Sequence, residues 1–239
     1  MHRKLTRPVQ KASAALGAVF LFASALAAPA GSECSTDAMI VFDGSGSMAE
    51  MGFNKIGEPR IFEAREALHS VLPQIAAMRR LGLVVYGPGG DGECKSTELY
   101  FGPRPNAAPP ITAAVDALDP TGSTPLTEGV RLAAEALKYR ERPGAIVLVT
   151  DGDETCGGAP CQLAAQLAAE GLDLTVHVIG FKVRPTRFSW DGARDTEAVS
   201  NAACLAEATG GEYLGVESVE ELIGALRVTL GCPVFGALD

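Results

Sequence analysis

The chain has 239 residues, of which 47% are hydrophobic and 21% are charged, and its formal net charge is −9. This balance is typical of a globular protein and excludes a disordered chain. Its 27 glycines and 15 prolines follow no period, which excludes collagen and repeat scaffolds. The acidic charge argues against nucleic acid or an anionic membrane as the main partner, because both require a basic face.

Residues 1–30 have the pattern of a secretory signal peptide. A basic segment without acids is followed by an apolar run over 12–27 and by A-x-A cleavage sites after Ala27 and Ala30. The run is shorter than the roughly 20 residues that a membrane span needs. We therefore predict export to the periplasm or the medium, no membrane span after cleavage, and a single mature domain over 31–239.

Six cysteines follow the signal peptide, and an even number in an exported chain suggests disulfides. They are Cys34, Cys94, Cys156, Cys161, Cys204 and Cys232. A Cys34–Cys232 bridge would tie the two ends of the domain together, and we favour it. The other four leave two pairings open: a local Cys156–Cys161 bridge with Cys94–Cys204, or Cys94–Cys156 with Cys161–Cys204.

Predicted strands and helices alternate along the mature chain. In chain order we predict a strand at 38–42, a helix at 60–78, a strand at 81–86 with a second hairpin arm at 97–101, helices at 110–118 and 126–139, a strand at 145–149, a helix at 160–170, a strand at 174–180, a helix at 195–209, a strand at 212–216 and a helix at 217–229. In the first helix, Phe62, Leu68, Val71, Leu72 and Ile75 recur at helical spacing.

Most of these strands are continuous apolar runs, which are typical of strands buried on both faces of a parallel sheet. Strands that alternate with helices of this length indicate an α/β domain. We therefore predict a Rossmann-like open, mostly parallel sheet with one antiparallel edge strand and helices on both faces.

Two of the buried strands end in an acid, Asp43 and Asp151. Ligands of open parallel sheets bind outside the carboxyl ends of the strands. Ser45 and Ser47 follow Asp43 at alternate positions, so one tight loop can turn three oxygens toward a common point, and Thr124 offers another loop hydroxyl. Carboxylates and hydroxyls are hard oxygen ligands, which suit Mg²⁺, Mn²⁺ or Ca²⁺.

This set resembles the metal-ion-dependent adhesion site of the von Willebrand factor type A family. The family's D-x-S-x-S motif matches Asp43, Ser45 and Ser47, its loop threonine matches Thr124, and its strand-end aspartate matches Asp151. The similarity extends over about residues 36–230. It implies direct coordination by the three hydroxyls, water-mediated contacts from the two carboxylates, and an open position that a partner's carboxylate fills.

The chemistry of the residues agrees with the resemblance, because a divalent cation with few charged ligands keeps positive charge and attracts an anionic group. We expect an exported module that binds a protein partner in adhesion or assembly, with Mg²⁺ as the first choice of cation and with no organic cofactor.

Two other functions stay open. Asp151, Asp153 and Thr155 resemble the D-x-D-x-T motif of haloacid-dehalogenase-type phosphatases, so metal-dependent phosphoryl hydrolysis through Asp151 and Asp153 is one alternative. That family carries the motif on its first strand, whereas here it follows a late one. The other alternative is a structural domain that a metal merely stabilises. Because no Ser, His and Asp set stands at credible strand ends, we expect no catalytic residues and no enzyme.

A basic and aromatic segment, 182–190, follows a strand that is expected to end at the same edge of the sheet. We hypothesise that this segment borders the partner site.

Overall fold

The computed structural model describes residues 36–51, 58–89, 94–183 and 197–232, with side chains in the last segment from residue 202 onward. All four segments belong to one unit, Gly31–Asp239. The predicted signal peptide and the predicted Cys34–Cys232 bridge fall on or involve residues outside these segments and stay predictions. Among the described helices, none is long and apolar enough to cross a membrane.

The predicted elements are present in the predicted order. The strands are β1 (Asp37–Asp43), β2 (Leu81–Tyr86), β3 (Thr97–Arg104), β4 (Gly144–Thr150), β5 (Leu174–Phe181) and β6 (Tyr213–Val216). The helices are α1 (Arg60–Met78), α2 (Ala108–Asp116), α3 (Leu126–Leu137), α4 (Pro160–Glu170), α5 (Glu197–Thr209) and α6 (Val219–Leu230). A short 3₁₀ turn, Gly46–Ala49, follows β1.

The strands form one sheet in the order β3-β2-β1-β4-β5-β6. Every neighbouring pair is parallel except β2 and β3, which form the antiparallel hairpin at one edge. This confirms the predicted fold class. After β1 the chain builds outward through β2 and β3, and it then returns to the other side of β1 as β4. Such a reversal is where open α/β sheets hold their ligands.

Both faces of the sheet are covered by helices, and β1 contributes to both. Its alternate residues Ala38, Ile40 and Phe42 belong to the core formed with α1, α2 and α6. Met39 and Val41 belong to the opposite core, with α3, α4 and α5. Because β1 is buried on both sides, a polar side chain at its end is held in a rigid and dry setting.

Two disulfides lie in the described part of the chain, Cys94–Cys156 and Cys161–Cys204. They correspond to the second of the two pairings left open by the sequence, and the local Cys156–Cys161 bridge is not formed. The reason lies in the topology. Cys94 follows β2 and Cys156 follows β4, so both lie at the carboxyl edge of the sheet, whereas Cys161 and Cys204 lie on the packed helices α4 and α5.

Candidate functional site

The two predicted acids meet at the carboxyl edge of the sheet. Asp43 is the last residue of β1, and Asp151 directly follows the last residue of the neighbouring strand β4. Both are buried, Asp43 completely and Asp151 with 4% of its surface exposed. Parallel neighbours end at the same edge, which is why acids 108 positions apart in sequence share one site.

The carboxylate of Asp43 is fixed by protein donors. Its Oδ2 accepts hydrogen bonds from the hydroxyls of Tyr86 at 3.0 Å and Thr150 at 2.8 Å, and its Oδ1 accepts one from the backbone N–H of Ser45 at 2.8 Å. Burial raises the pKa of Asp43 above its ordinary value, although these hydrogen bonds act in the opposite direction. Asp43 therefore organises the loop that follows it.

A chain of hydroxyl contacts joins this loop to the second acid. The Oγ atoms of Ser45 and Ser47 lie 3.1 Å apart, and Ser47 Oγ donates to Asp151 Oδ1 at 2.6 Å. Four of the five predicted metal ligands are thus linked directly, from Asp43 through the two serines to Asp151.

The fifth predicted ligand, Thr124, belongs to a loop that is bonded to its neighbours on both sides. The backbone N–H of Thr124 donates to Thr155 Oγ1 at 2.8 Å, and the N–H of Thr155 donates to the carbonyl of Thr124 at 3.1 Å. The same loop meets the serine loop, where the N–H of Gly46 donates to the carbonyl of Gly122 at 3.1 Å.

An open cavity of about 260 Å³ lies beside these residues. It is lined by Ser47, Glu50, Arg60, Thr124, Asp151, Gly152, Asp153, Thr155 and Val183. Three of the five predicted ligands therefore face one space that a cation and a group of a partner could share.

Asp151 has one oxygen left for a ligand. Arg60 Nη1 lies 3.3 Å from Asp151 Oδ2, an ion pair that lacks hydrogen-bond geometry, and this buried oxygen has no hydrogen-bond partner among the described residues. Burial, followed by the charge of Asp43, raises the pKa of Asp151 to about 7, while Ser47 and Arg60 oppose the rise. A cation at this oxygen would relieve the repulsion between the two carboxylates.

The donor set fits a hard divalent cation. Hydrogen bonds link two carboxylates and two serine hydroxyls, and Thr124 lines the same cavity as Ser47 and Asp151. Such oxygens are the ligands that hard cations prefer. Within the described segments, no three residues among His, Cys, Asp and Glu form a group that could hold a metal.

Sequence reasoning missed four residues that hold this site: Tyr86, Thr150, Thr155 and Arg60. Tyr86 and Thr150 are the last residues of β2 and β4, so a polar residue at the end of an apolar strand was the available signal. Thr155 was considered only as part of a phosphatase-like motif. Arg60 begins an amphipathic helix, and no local signal marks it as buried.

The segment 182–190 is described only as far as Val183, and residues 184–190 lie outside the described residues. Lys182 is buried, and its Nζ pairs with the carboxylate of Glu63 on α1. Val183 lines the cavity. The hypothesis that the segment borders a partner site stays a prediction.

Comparison with known proteins supports the fold. YwmD of Bacillus subtilis (strain 168) is 29% identical over 219 residues, which cover 87% of this chain and 92% of YwmD. An aerotolerance-related membrane protein from Bacteroides fragilis NCTC 9343 has a similar structure, with a TM-score of 0.58 at 20% identity over 82% of this chain and 98% of that one. The pilus adhesin SpaC from Lactobacillus rhamnosus GG gives 0.61 at 14% identity, over 84% of this chain and 30% of SpaC.

The family profile of the von Willebrand factor type A domain matches residues 38–154, a range that includes all of β1 but its first residue, all of β4 and all five predicted ligands. Together with the observed sheet order, this match shows that the chain has the von Willebrand factor type A fold.

Proposed function

We propose that this chain is an exported, divalent-metal-dependent protein-binding module, in which the bound cation accepts an acidic group of a partner. The observation that carries the proposal is the buried Asp151 Oδ2, which accepts no hydrogen bond from any residue that the structure describes. It lies beside the linked hydroxyls of Ser45 and Ser47. A buried carboxylate oxygen that accepts no hydrogen bond is costly even beside the charge of Arg60, and a cation would reduce that cost.

The hydroxyls of Ser45, Ser47 and Thr124 would hold the cation, with Asp43 and Asp151 acting through water, as the family resemblance implies. A hard cation such as Mg²⁺ would supply an electrophilic position for a carboxylate. The protein's own part is to fix the hydroxyls and to keep the two acids close together and dry.

The fold supports the proposed binding role, and the disulfides support the proposed export. Part of the pilus adhesin SpaC has this fold, and adhesion is one use of a metal-dependent binding site. The two disulfides agree with an oxidising compartment, and hence with the predicted signal peptide. We assign the cation a binding role and propose no catalytic residues.

Thermal unfolding tests the metal site. The purified protein is unfolded with EDTA and then with Mg²⁺, Mn²⁺ or Ca²⁺. A ligand at 100 times its dissociation constant adds about 2.7 kcal/mol, which in a domain of this size raises Tm by roughly 5–10 °C. Ser47→Ala should abolish the rise.

Ser218→Ala is the matched control, because Ser218 caps α6 by accepting a hydrogen bond from the N–H of Glu221 and takes no part in the site. It should lower Tm and keep the response to metal. A wild-type protein whose Tm no cation changes would contradict the metal site.

The partner is tested separately. Proteins from an extracellular or periplasmic extract are passed over the immobilised chain with Mg²⁺, with EDTA, and over immobilised Ser47→Ala. We expect capture only by the wild type with Mg²⁺, and loss of capture after the carboxyl groups of the extract are amidated. Capture that survives both EDTA and amidation would contradict the proposed mode of binding.

A further inference from the structure

Arg60 is a buried cation at the floor of the candidate site. It is the first residue of α1, and only 1% of its surface is exposed. Its Nη1 donates to the carbonyl of Ser47 at 2.9 Å and lies 3.3 Å from Asp151 Oδ2, while its Nη2 donates to the carbonyl of Lys182 at 3.4 Å. The guanidinium thus contacts the loop of one predicted ligand and the carboxylate of another.

Arg60 supplies positive charge to a cavity that is otherwise lined by acidic and uncharged residues in the described part of the chain. Of the described residues that line this space, Glu50, Asp151 and Asp153 are acidic, and only Arg60 is basic. The ammonium of the nearby Lys182 is taken by Glu63, one turn further along α1. That pair is neutral as a whole, so the positive charge close to Asp151 comes from Arg60.

We propose that Arg60 sets the charge of the metal site. It weakens the capture of a divalent cation and, once the cation is bound, it keeps the site receptive to an anionic group. This inference rests on the proposed function. Asp43 and Asp151, when ionised, balance the charge of one divalent cation, and Glu50 and Asp153 add negative charge to the same cavity. The positive charge of Arg60 therefore lowers the repulsion that an incoming carboxylate would meet.

A purely structural role would act differently. If Arg60 only anchored the loop of Ser47, its loss would loosen the ligands and weaken metal binding. If its charge is what matters, removing that charge strengthens metal binding, because two buried charges of like sign a few ångströms apart repel each other strongly. The two roles therefore predict changes of opposite sign in the dissociation constant of the metal.

The test is a Mn²⁺ titration by calorimetry and electron paramagnetic resonance. Arg60→Gln removes the charge and keeps a donor for the carbonyl of Ser47. Arg60→Met removes both the charge and the donor, and because it leaves Asp151 without its ion-pair partner we expect it to be less stable than Arg60→Gln. Both should bind Mn²⁺ about tenfold or more tightly than the wild type. Arg60→Lys retains the charge, and its affinity for Mn²⁺ should stay within about threefold of the wild-type affinity.

Arg79→Met is the matched control. Arg79 is also buried, but it donates to the carbonyls of Thr36 and Leu230 at the opposite end of the sheet. Its replacement should reduce stability and leave the affinity for Mn²⁺ unchanged. Unchanged or weaker Mn²⁺ binding in both neutral Arg60 variants would overturn the inference, and no Mn²⁺ binding by the wild type would overturn the proposed function itself.

Acetate serves as the anionic probe of the loaded site. Water-proton relaxation of the Mn²⁺-loaded protein is followed while acetate replaces water on the metal. We expect Arg60→Gln to need several times more acetate than the wild type for the same decrease in the water-proton relaxation rate. An equal response in the two proteins would overturn the second half of the inference.

Discussion

The hydroxyl of Thr150 donates a 2.8 Å hydrogen bond to Asp43 Oδ2, and so the last residue of β4 holds the carboxylate that ends β1. Both residues are buried, and the bond crosses the point where the order of the strands reverses. A polar contact between two strand ends therefore couples the hydrogen-bonded sheet to the loop of Ser45 and Ser47.

We expect Thr150→Val to lower the free energy of unfolding by about 1–3 kcal/mol, because a buried carboxylate loses a donor. It should also weaken Mg²⁺ binding about tenfold or more, as the loss of partners behind metal ligands commonly does. Urea unfolding and calorimetry measure the two effects.

Thr229→Val is the control, since Thr229 is equally buried but donates to the carbonyl of Ala225 within α6. It should leave Mg²⁺ binding unchanged. Wild-type affinity in Thr150→Val would show that Asp43 does not act through this contact.

Gly87 follows β2 with a φ of +101°, and a Cβ built there would lie 2.3 Å from the backbone nitrogen of Ser45. Gly87→Ala must push the serine loop away, and we expect it to lose metal binding in addition to stability. Gly89 has a φ of +86° with open space around it, so Gly89→Ala should cost only about 1–2 kcal/mol of backbone strain.

Calorimetric titration with Mg²⁺ compares these two variants. If Gly87→Ala bound Mg²⁺ as well as Gly89→Ala does, the close approach to Ser45 would have no bearing on the site.

The pKa of Asp151, raised to about 7 from the ordinary value of 3.8, predicts how the metal-free protein responds to pH. Between about pH 4 and pH 7 the folded state keeps this proton while the unfolded chain loses it. The folded state then binds more protons, so the contribution of Asp151 to the free energy of unfolding falls as the pH rises through this window.

Added Mg²⁺ should reverse this trend, because the cation and the proton compete for the same carboxylate and the affinity for metal rises toward pH 7. Urea unfolding of the wild type and of Asp151→Asn, each with EDTA, isolates the contribution. Identical pH dependence in the two proteins would contradict it.

The two disulfides should differ in their effect on the site. Cys94–Cys156 ties the β2–β3 connection to the segment that follows Asp151, whereas Cys161–Cys204 links α4 to α5. They close comparable spans of 62 and 43 residues, so replacing either pair with serine should cost about 2–5 kcal/mol. Only the loss of Cys94–Cys156 should also weaken Mg²⁺ binding, and equal Mg²⁺ affinity in the two double variants would count against this difference.

Replacement of Asp153 distinguishes a metal-dependent binding site from a phosphatase active site. Asp153 lines the cavity, and its buried Oδ1 has no hydrogen-bond partner within the described segments. Phosphatase chemistry of the D-x-D-x-T kind requires this acid, whereas a metal site built from the five predicted ligands does not. We expect no hydrolysis of p-nitrophenyl phosphate by the wild type with Mg²⁺, and a wild-type response of Tm to Mg²⁺ in Asp153→Asn. Metal-dependent hydrolysis that Asp153→Asn abolishes would favour the enzyme instead.

The fold and the convergence of the two acids could be predicted because both depend on simple periodic signals. The apolar runs that end at Asp43 and Asp151 mark strands, and parallel strands bring their carboxyl ends to one edge. The pairing of the cysteines could not be predicted from the sequence, because it depends on where the helices and loops lie. Their positions separate Cys156 from Cys161 and bring each close to a partner that is more distant in sequence.

The environment of Asp151 could not be predicted, because it depends on how α1 is rotated against the sheet. The helical spacing placed Phe62 on the apolar face, but 48% of its surface is exposed, whereas Arg60 and Ile61 turn inward. A periodic pattern gives the average direction of a helix face. It does not show that the first turn of α1 buries the charge of Arg60, because that burial depends on an ion pair with Asp151, which follows β4.

The segment after β4 is bonded to the start of α3 at several points. Glu154 accepts from the backbone N–H of Thr127, and Thr155 exchanges hydrogen bonds with Thr124 in both directions. Thr124 and the residues after Asp151 thus form one hydrogen-bonded unit, and the Cys94–Cys156 bridge adds the β2–β3 connection to it. Exchange of binding loops between relatives would have to transplant these three segments together, because a donor loop that arrived alone would lack the partners that shape it.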